Sequence, residues 1–284
     1  MTLHDVARRI GEVETLDQAT RPLVAAAHNV IPAGPVKDFL SGSSLGHPLH
    51  PALTDVPIGS FAAAVVLDLA GGGRLEDAVE ALLGLGIVAT LPTAAAGLSD
   101  WSDTYGAEQR IGLVHAVANV TSLSLFAGSL IARRSGRRGL GRALSLLGMT
   151  TLTAGGYLGG HLSYARGVGV NNAFFEHEPE EWTPVLDWSD LPAGTPTKVE
   201  AGGATILLYR SGERILAIGG RCSHAGGPLP EGKIDDGALC VECPWHGSVF
   251  RLEDGGVVHG PASVPQAAYA VRVNDGRIEV RRRD

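Results

Sequence analysis

Two short stretches hold residues able to do chemistry together. Arg221-Cys-Ser-His-Ala-Gly-Gly227 carries a Cys-x-His pair, and after 18 intervening residues Cys243-Pro-Trp-His-Gly-Ser248 carries a Cys-x-x-His pair. Thiolate and imidazole are both metal donors, so Cys222, His224, Cys243 and His246 form a candidate metal-ligand set. Two Cys and two His suit a tetrahedral zinc ion. They also suit a [2Fe–2S] cluster with both Cys on one iron and both His on the other. The spacing favours the cluster, because zinc sites group like ligands (Cys-x-x-Cys, then His with His) and here each loop offers one of each.

The flanking residues carry a resemblance. Gly226 and Pro228 follow the first pair, and Pro244, Trp245 and Gly247 dress the second. In these features the chain resembles the Rieske family over about 182–283. The resemblance implies a [2Fe–2S] cluster held by the four residues and one-electron chemistry. Respiratory members of the family carry an extra Cys in each ligand loop, joined as a disulfide; here Gly227 and Trp245 stand at those places. Those members also have a Ser and a Tyr that donate hydrogen bonds toward the sulfurs. Ser248 is kept and Phe250 replaces the Tyr. Hydrogen bonds to sulfur are a main lever on potential. The expected potential therefore lies between the low ferredoxin-like and the high respiratory classes. The third cysteine, Cys240, reads as a buried thiol on a strand.

These loops need a scaffold, and the 284 residues suggest about two domains. Hydrophobic residues make up 44% of the chain and charged residues 19%, with almost no charge across long stretches of 56–165. The net charge of −7 argues against nucleic acid as a partner. Four apolar segments follow one another: roughly 52–70, 80–98, Ile111–Ala132 and Ala143–Ala165. About 20 apolar residues cross the hydrocarbon core as a helix. A soluble bundle would need polar faces that the third and fourth segments lack. His47-Pro-Leu-His-Pro51 and a glycine-rich end to the fourth segment also resemble a four-helix bacterial membrane family of unknown function. That resemblance implies topology only.

The expected fold is multidomain: an all-α four-helix transmembrane bundle followed by a small all-β Rieske-type iron–sulfur domain. The boundaries read as a polar lead-in over 1–46, the bundle over 47–166, a linker over 167–181 and the β-domain over 182–284. An amphipathic helix over Val6–Val30 is expected to break at Pro22. Ser211-Gly212 and Asn274-Asp-Gly276 mark hairpin turns. No apolar signal segment stands at the N-terminus.

Four spans put both termini, the β-domain and His47, His50, His115 and His161 on one side of the membrane. A His within a span is a functional hypothesis by default. Three readings stay open. His115 and His161 could ligate a haem b, with His50 as an alternative. The group could form a quinol pocket in which a His or Asp55 accepts protons. The histidines could simply cap helix ends. His4, His28, His177 and His259 read as surface or linker residues. The loop Arg133-Arg-Ser-Gly-Arg-Arg-Gly-Leu-Gly-Arg142 holds five arginines in ten residues. The positive-inside rule places that loop in the cytoplasm and the termini on the outer face. The free Cys240 and the absent disulfide fit a reducing compartment instead.

The function these features imply is membrane-bound electron transfer with quinol, a haem or a redox partner protein, in contact with membrane lipid. The alternatives are a ferredoxin-like donor to an oxygenase system and a redox sensor. A terminal oxygenase needs a further domain with a 2-His-1-carboxylate iron, and the soluble part of this chain is too short for one.

Overall fold

The computed structural model describes residues 2–283; Met1 and Asp284, which the expected lead-in and β-domain include, lie outside the described residues. The chain divides into two compact units. The first joins residues 2–32 to Leu49–Val168, and the second joins Ala33–Pro48 to residues 169–283. The lead-in is thus shared between the units, and the linker from Gly169 onward belongs to the second.

Among the described residues, seven α-helices occur in order: α1 (Leu3–Gly11), α2 (Asp17–Val30), α3 (Pro35–Ser41), α4 (Leu49–Gly71), α5 (Glu76–Ser102), α6 (Gly106–Arg134) and α7 (Arg138–Arg166). All but α3 belong to the first unit. A capping box starts α1: the Thr2 hydroxyl accepts from Asp5 N–H, and the Asp5 carboxylate accepts from Thr2 N–H. The amphipathic lead-in breaks at residues 12–16, not at Pro22, which sits inside α2. Arg110 holds that break in place. Its guanidinium clasps both oxygens of Asp17 at 2.6 and 2.8 Å and donates to the Gly11 carbonyl at 2.9 Å.

Among the described residues, α4, α5 and α6 are long and apolar enough to cross a membrane. The fourth segment forms a helix as long as α6, at 29 residues. This helix, α7, is rich in serine, threonine and glycine and stands outside that group of three. The small residues also let helices approach: Ser122 Oγ donates to Gly148 O, and Ser129 Oγ to Gly141 O.

The four long helices are two copies of one hairpin. Phe61 stacks on Phe126 at 4.0 Å, His50 meets His115 at 6.4 Å, and Asp68 pairs with Arg133. Each partner lies 65 residues after the other. Between α5 and α7 the offset is 62: Glu76 pairs with Arg138 at 2.7 Å. At the same offset, Gly86 and Gly148 face the two phenylalanines and Gly97 and Gly159 the two histidines. Equivalent residues therefore meet about a pseudo-twofold axis. The two copies have opposite charges where their ends touch, with the Arg133 guanidinium buried between Asp68 and Glu76.

The second unit is built from three small antiparallel sheets. The strands are β1 (Thr183–Asp187), β2 (Thr197–Ala201), β3 (Ala204–Ser211), β4 (Arg214–Gly219), β5 (Lys233–Asp235), β6 (Cys240–Glu242), β7 (Val249–Arg251), β8 (Val257–His259), β9 (Tyr269–Asn274) and β10 (Arg277–Arg282). The sheet orders are β1-β10-β9, β2-β3-β4 and β5-β6-β7-β8. Strand β3 reads as a continuous apolar run because both its faces are covered. Ile206 and Leu208 enter a core with Tyr269, Ile278 and Val280, while Leu207 and Tyr209 enter a core with Val241 and Phe250. Both expected hairpins form. Asp275 and Gly276 take positive φ between β9 and β10, as a two-residue turn of this twist requires.

Candidate metal centre

The two ligand loops grow from strand ends and close in the same way. The first leaves β4, and the Cys222 N–H donates to Gly227 O while the Gly226 N–H donates back to Cys222 O, both at 2.8 Å. The second leaves β6, and the Cys243 N–H donates to Ser248 O at 2.8 Å while the Gly247 N–H donates to Cys243 O at 3.1 Å. The return in each loop needs a positive φ four residues after the Cys. Gly226 and Gly247 supply it, at +78° and +73°.

This closure turns backbone N–H groups onto the sulfurs. Cys222 receives those of His224 and Ala225, and Cys243 those of Trp245 and His246. The thiols also bond to each other. Cys243 is held below the ordinary thiol value, chiefly because Cys222 donates to it, and Cys222 is pushed up by the same bond and by burial. Donors aimed at sulfur stabilise thiolate, the form that ligates metal. Opposite the thiols, the His224 and His246 rings meet edge to face with centroids 4.8 Å apart. Thiol beside thiol and imidazole beside imidazole is the grouping that a cluster with unlike irons requires. Among the described residues, no three His, Cys, Asp or Glu gather around one point. Both cysteines are buried, both histidines are half-buried, and Trp245 beside them is 53% exposed.

The surroundings lock the loops. Gly227 is in van der Waals range of the other loop: a Cβ there would lie 2.8 Å from Cys243 Sγ and 3.1 Å from the Trp245 ring. Buried Ser248 accepts from Ala262 N–H at 2.9 Å, which leaves its hydroxyl hydrogen for another acceptor. Phe250 is buried and has no such hydrogen. Cys240 lies on β6, donates to Ala238 O at 3.3 Å, and has its thiol pushed up by burial.

Two supports escaped the sequence reading. Asn172, read as linker, donates from its backbone to Ser223 O and from Nδ2 to His224 O. From the lead-in, Asp38 accepts from the Gly260 N–H at 2.7 Å and bonds His259 Nδ1 at 2.9 Å, and Ser43 Oγ donates to Ala262 O. His259 is exposed, as expected, and is also tied to α3. Neither support leaves a sequence signal, because both act through backbone groups far along the chain.

The membrane histidines fall into different company from that expected. His47 Nδ1 bonds Pro48 O at 3.0 Å, a local contact beside the start of α4. His115 pairs with His50, not with His161. His161 instead lies beside His4, with centroids 5.3 Å apart and the rings tilted by 58°. The reason is height: His115 bonds the α7 carbonyl of Gly155, and His161 lies six residues further, about 9 Å along the helix. Asp55 is exposed on α4.

Comparison with known proteins agrees with both halves. Residues 181–270 match the family described as Rieske [2Fe-2S] domain, and residues 46–172 match a predicted membrane protein family, DUF2231. The anthranilate 1,2-dioxygenase ferredoxin subunit of Burkholderia cepacia is 33% identical over 100 residues, covering 35% of this chain and 91% of that protein. Ferredoxin CarAc of Metapseudomonas resinovorans is 33% identical over 100 residues, covering 35% and 92%. Among solved structures, the ferredoxin of carbazole 1,9a-dioxygenase from Nocardioides aromaticivorans IC177 is 30% identical, covers 36% of this chain and 98% of its own, and has a TM-score of 0.35. The chain belongs to the Rieske [2Fe–2S] family, with a DUF2231 membrane-protein domain ahead of its Rieske domain.

Proposed function

We propose that this protein is a membrane-anchored Rieske ferredoxin that passes single electrons to or from a redox partner protein. Cys222 and Cys243 hold one iron, and His224 and His246 hold the other. Bound there, a [2Fe–2S] cluster supplies one-electron transfer. The chain's own residues set its terms. Four backbone N–H groups and Ser248 surround the thiolates, and the half-buried imidazoles with exposed Trp245 give a partner its approach.

The observation that carries this reading is coverage. Relatives named as ferredoxin subunits of dioxygenases are spanned over 91% and 83% of their length, and the matched Rieske region, 181–270, holds both ligand loops. An oxygenase is accordingly the partner class to test first. The test is reduction of the purified full-length protein, followed by its paramagnetic resonance. Rapid reduction by a soluble NADH-dependent ferredoxin reductase, with onward reduction of an oxygenase, supports the reading. Reduction by quinol alone would replace it with a quinol-linked carrier.

A further inference from the structure

The bundle holds a pair of imidazoles that the cluster does not use. His50 on α4 and His115 on α6 occupy equivalent positions of the two hairpin copies, and their centroids lie 6.4 Å apart at an interplanar angle of 86°. Their settings repeat as well. His50 Nδ1 bonds the α5 carbonyl of Thr93 at 2.9 Å, and His115 Nδ1 bonds the α7 carbonyl of Gly155 at 2.7 Å. Four residues after each carbonyl stands a glycine, Gly97 or Gly159, where a Cβ would lie 2.8 or 3.0 Å from the ring. Each ring therefore lies against bare backbone.

A carbonyl can only accept, so both Nδ1 atoms carry hydrogen and both Nε2 atoms carry the lone pair. At His115 the Asn119 amide nitrogen lies over the ring, 3.1 Å from Nε2 and 3.4 Å from Nδ1. An imidazole whose other N–H is fixed on a backbone carbonyl is the arrangement of a metal-ligating histidine. The spacing suits a shared ion. With metal–nitrogen bonds of about 2.0–2.1 Å, two imidazoles on opposite sides of one ion put their centroids about 6 Å apart. A histidine that only capped a helix end would not need a twin in register across the bundle.

From this we infer that His50 and His115 form a two-imidazole site for a transition-metal ion on the pseudo-twofold axis, with the Asn119 amide giving way to it. Among the described residues, no His, Cys, Asp or Glu completes a group of three with them. The remaining coordination positions must come with the ligand, either as the four nitrogens of a haem or as water around a bare ion. The inference goes beyond the ferredoxin reading and does not depend on it.

The test uses purified full-length protein in detergent, as isolated and after incubation with haemin or with Cu(II) and removal of excess. Metal analysis, labile sulfide and optical spectra are recorded for wild type, His50→Ala, His115→Ala and His161→Ala. The expected result is one metal per chain beyond the two cluster irons, lost at least tenfold in His50→Ala and in His115→Ala and kept in His161→Ala. A Soret band identifies haem, and extra metal without one identifies a bare ion; both uphold the site. Helical circular dichroism confirms that each variant is folded. No metal beyond the cluster under any loading, or equal loading in all variants, overturns it. The Rieske resonance is read separately, so loss of the cluster reading and loss of this one are told apart.

Discussion

Gly227 shows how closely the cluster residues depend on their neighbours. A methyl there would meet Cys243 Sγ at 2.8 Å and Trp245 at 3.1 Å. Overpacking of this kind costs about 1–3 kcal/mol. Gly227→Ala should therefore hold its cluster on the order of tenfold less well, read as the rate at which visible absorbance bleaches under chelator. Ser248 tests the tuning. Its oxygen is fixed by the Ala262 N–H, so its hydrogen is directed elsewhere. A hydrogen bond is worth about 1 kcal/mol, which for one electron is on the order of 40 mV. Ser248→Ala should lower the midpoint potential by about that much; an unchanged potential in redox titration would show that the hydroxyl does not reach the cluster. The four ligands were legible in the sequence because ligand chemistry fixes both residue type and spacing. Asn172, Asp38 and Ser43 were not, because a bond to a backbone group leaves no pattern in residue types.

At the level of helices, the sequence showed the apolar segments but hid the duplication. His50 and Phe61 repeat as His115 and Phe126, and Gly86 and Gly97 as Gly148 and Gly159, each pair eleven residues apart. Ala62 and Ala127 also match at the first offset, and Ala81, Leu82 and Leu85 match Ala143, Leu144 and Leu147 at the second, but most residues between them need only be apolar and differ. Arg133 was counted with a basic loop, yet its side chain is wholly buried against Asp68 and Glu76. The rule that reads sidedness counts arginines and not their distant partners. Removing one member of a buried ion pair leaves a bare charge and costs about 3–5 kcal/mol. Arg133→Ala should lower thermal stability in detergent accordingly. Because Asp68 and Arg133 are equivalent sites, and Glu76 and Arg138 likewise, exchanging both pairs (Asp68→Arg with Arg133→Asp, and Glu76→Arg with Arg138→Glu) should recover most of that loss. Equal melting of the exchanged protein and Arg133→Ala would count against the repeat as an energetic unit.

Over the whole molecule, the order of a helical half and a β half was plain from composition, since charge and hydrophobicity change abruptly near residue 166. Membership was not plain, because Ala33–Pro48 precedes the membrane helices in sequence and belongs with the β unit in space. Its anchors are few and specific. The Asp38 carboxylate accepts from Gly260 N–H and bonds His259, and Ser43 holds Ala262, the residue whose N–H fixes Ser248. Hydrogen bonds to a charged group contribute about 1.5–3 kcal/mol, less where solvent reaches them. Asp38 is only 20% exposed, so about 1–2 kcal/mol is a fair expectation for it. For a domain of about 100 residues that is on the order of 5–10 °C. Asp38→Ala with Ser43→Ala should therefore lose the visible absorbance of the cluster at a temperature lower by that amount. Helical circular dichroism of the bundle should melt as in wild type. A fragment beginning at Gly169 lacks both anchors and should behave like the double variant. If either melts with the full-length protein, the lead-in is a passive neighbour of the β unit and the Ala262 turn stands without it.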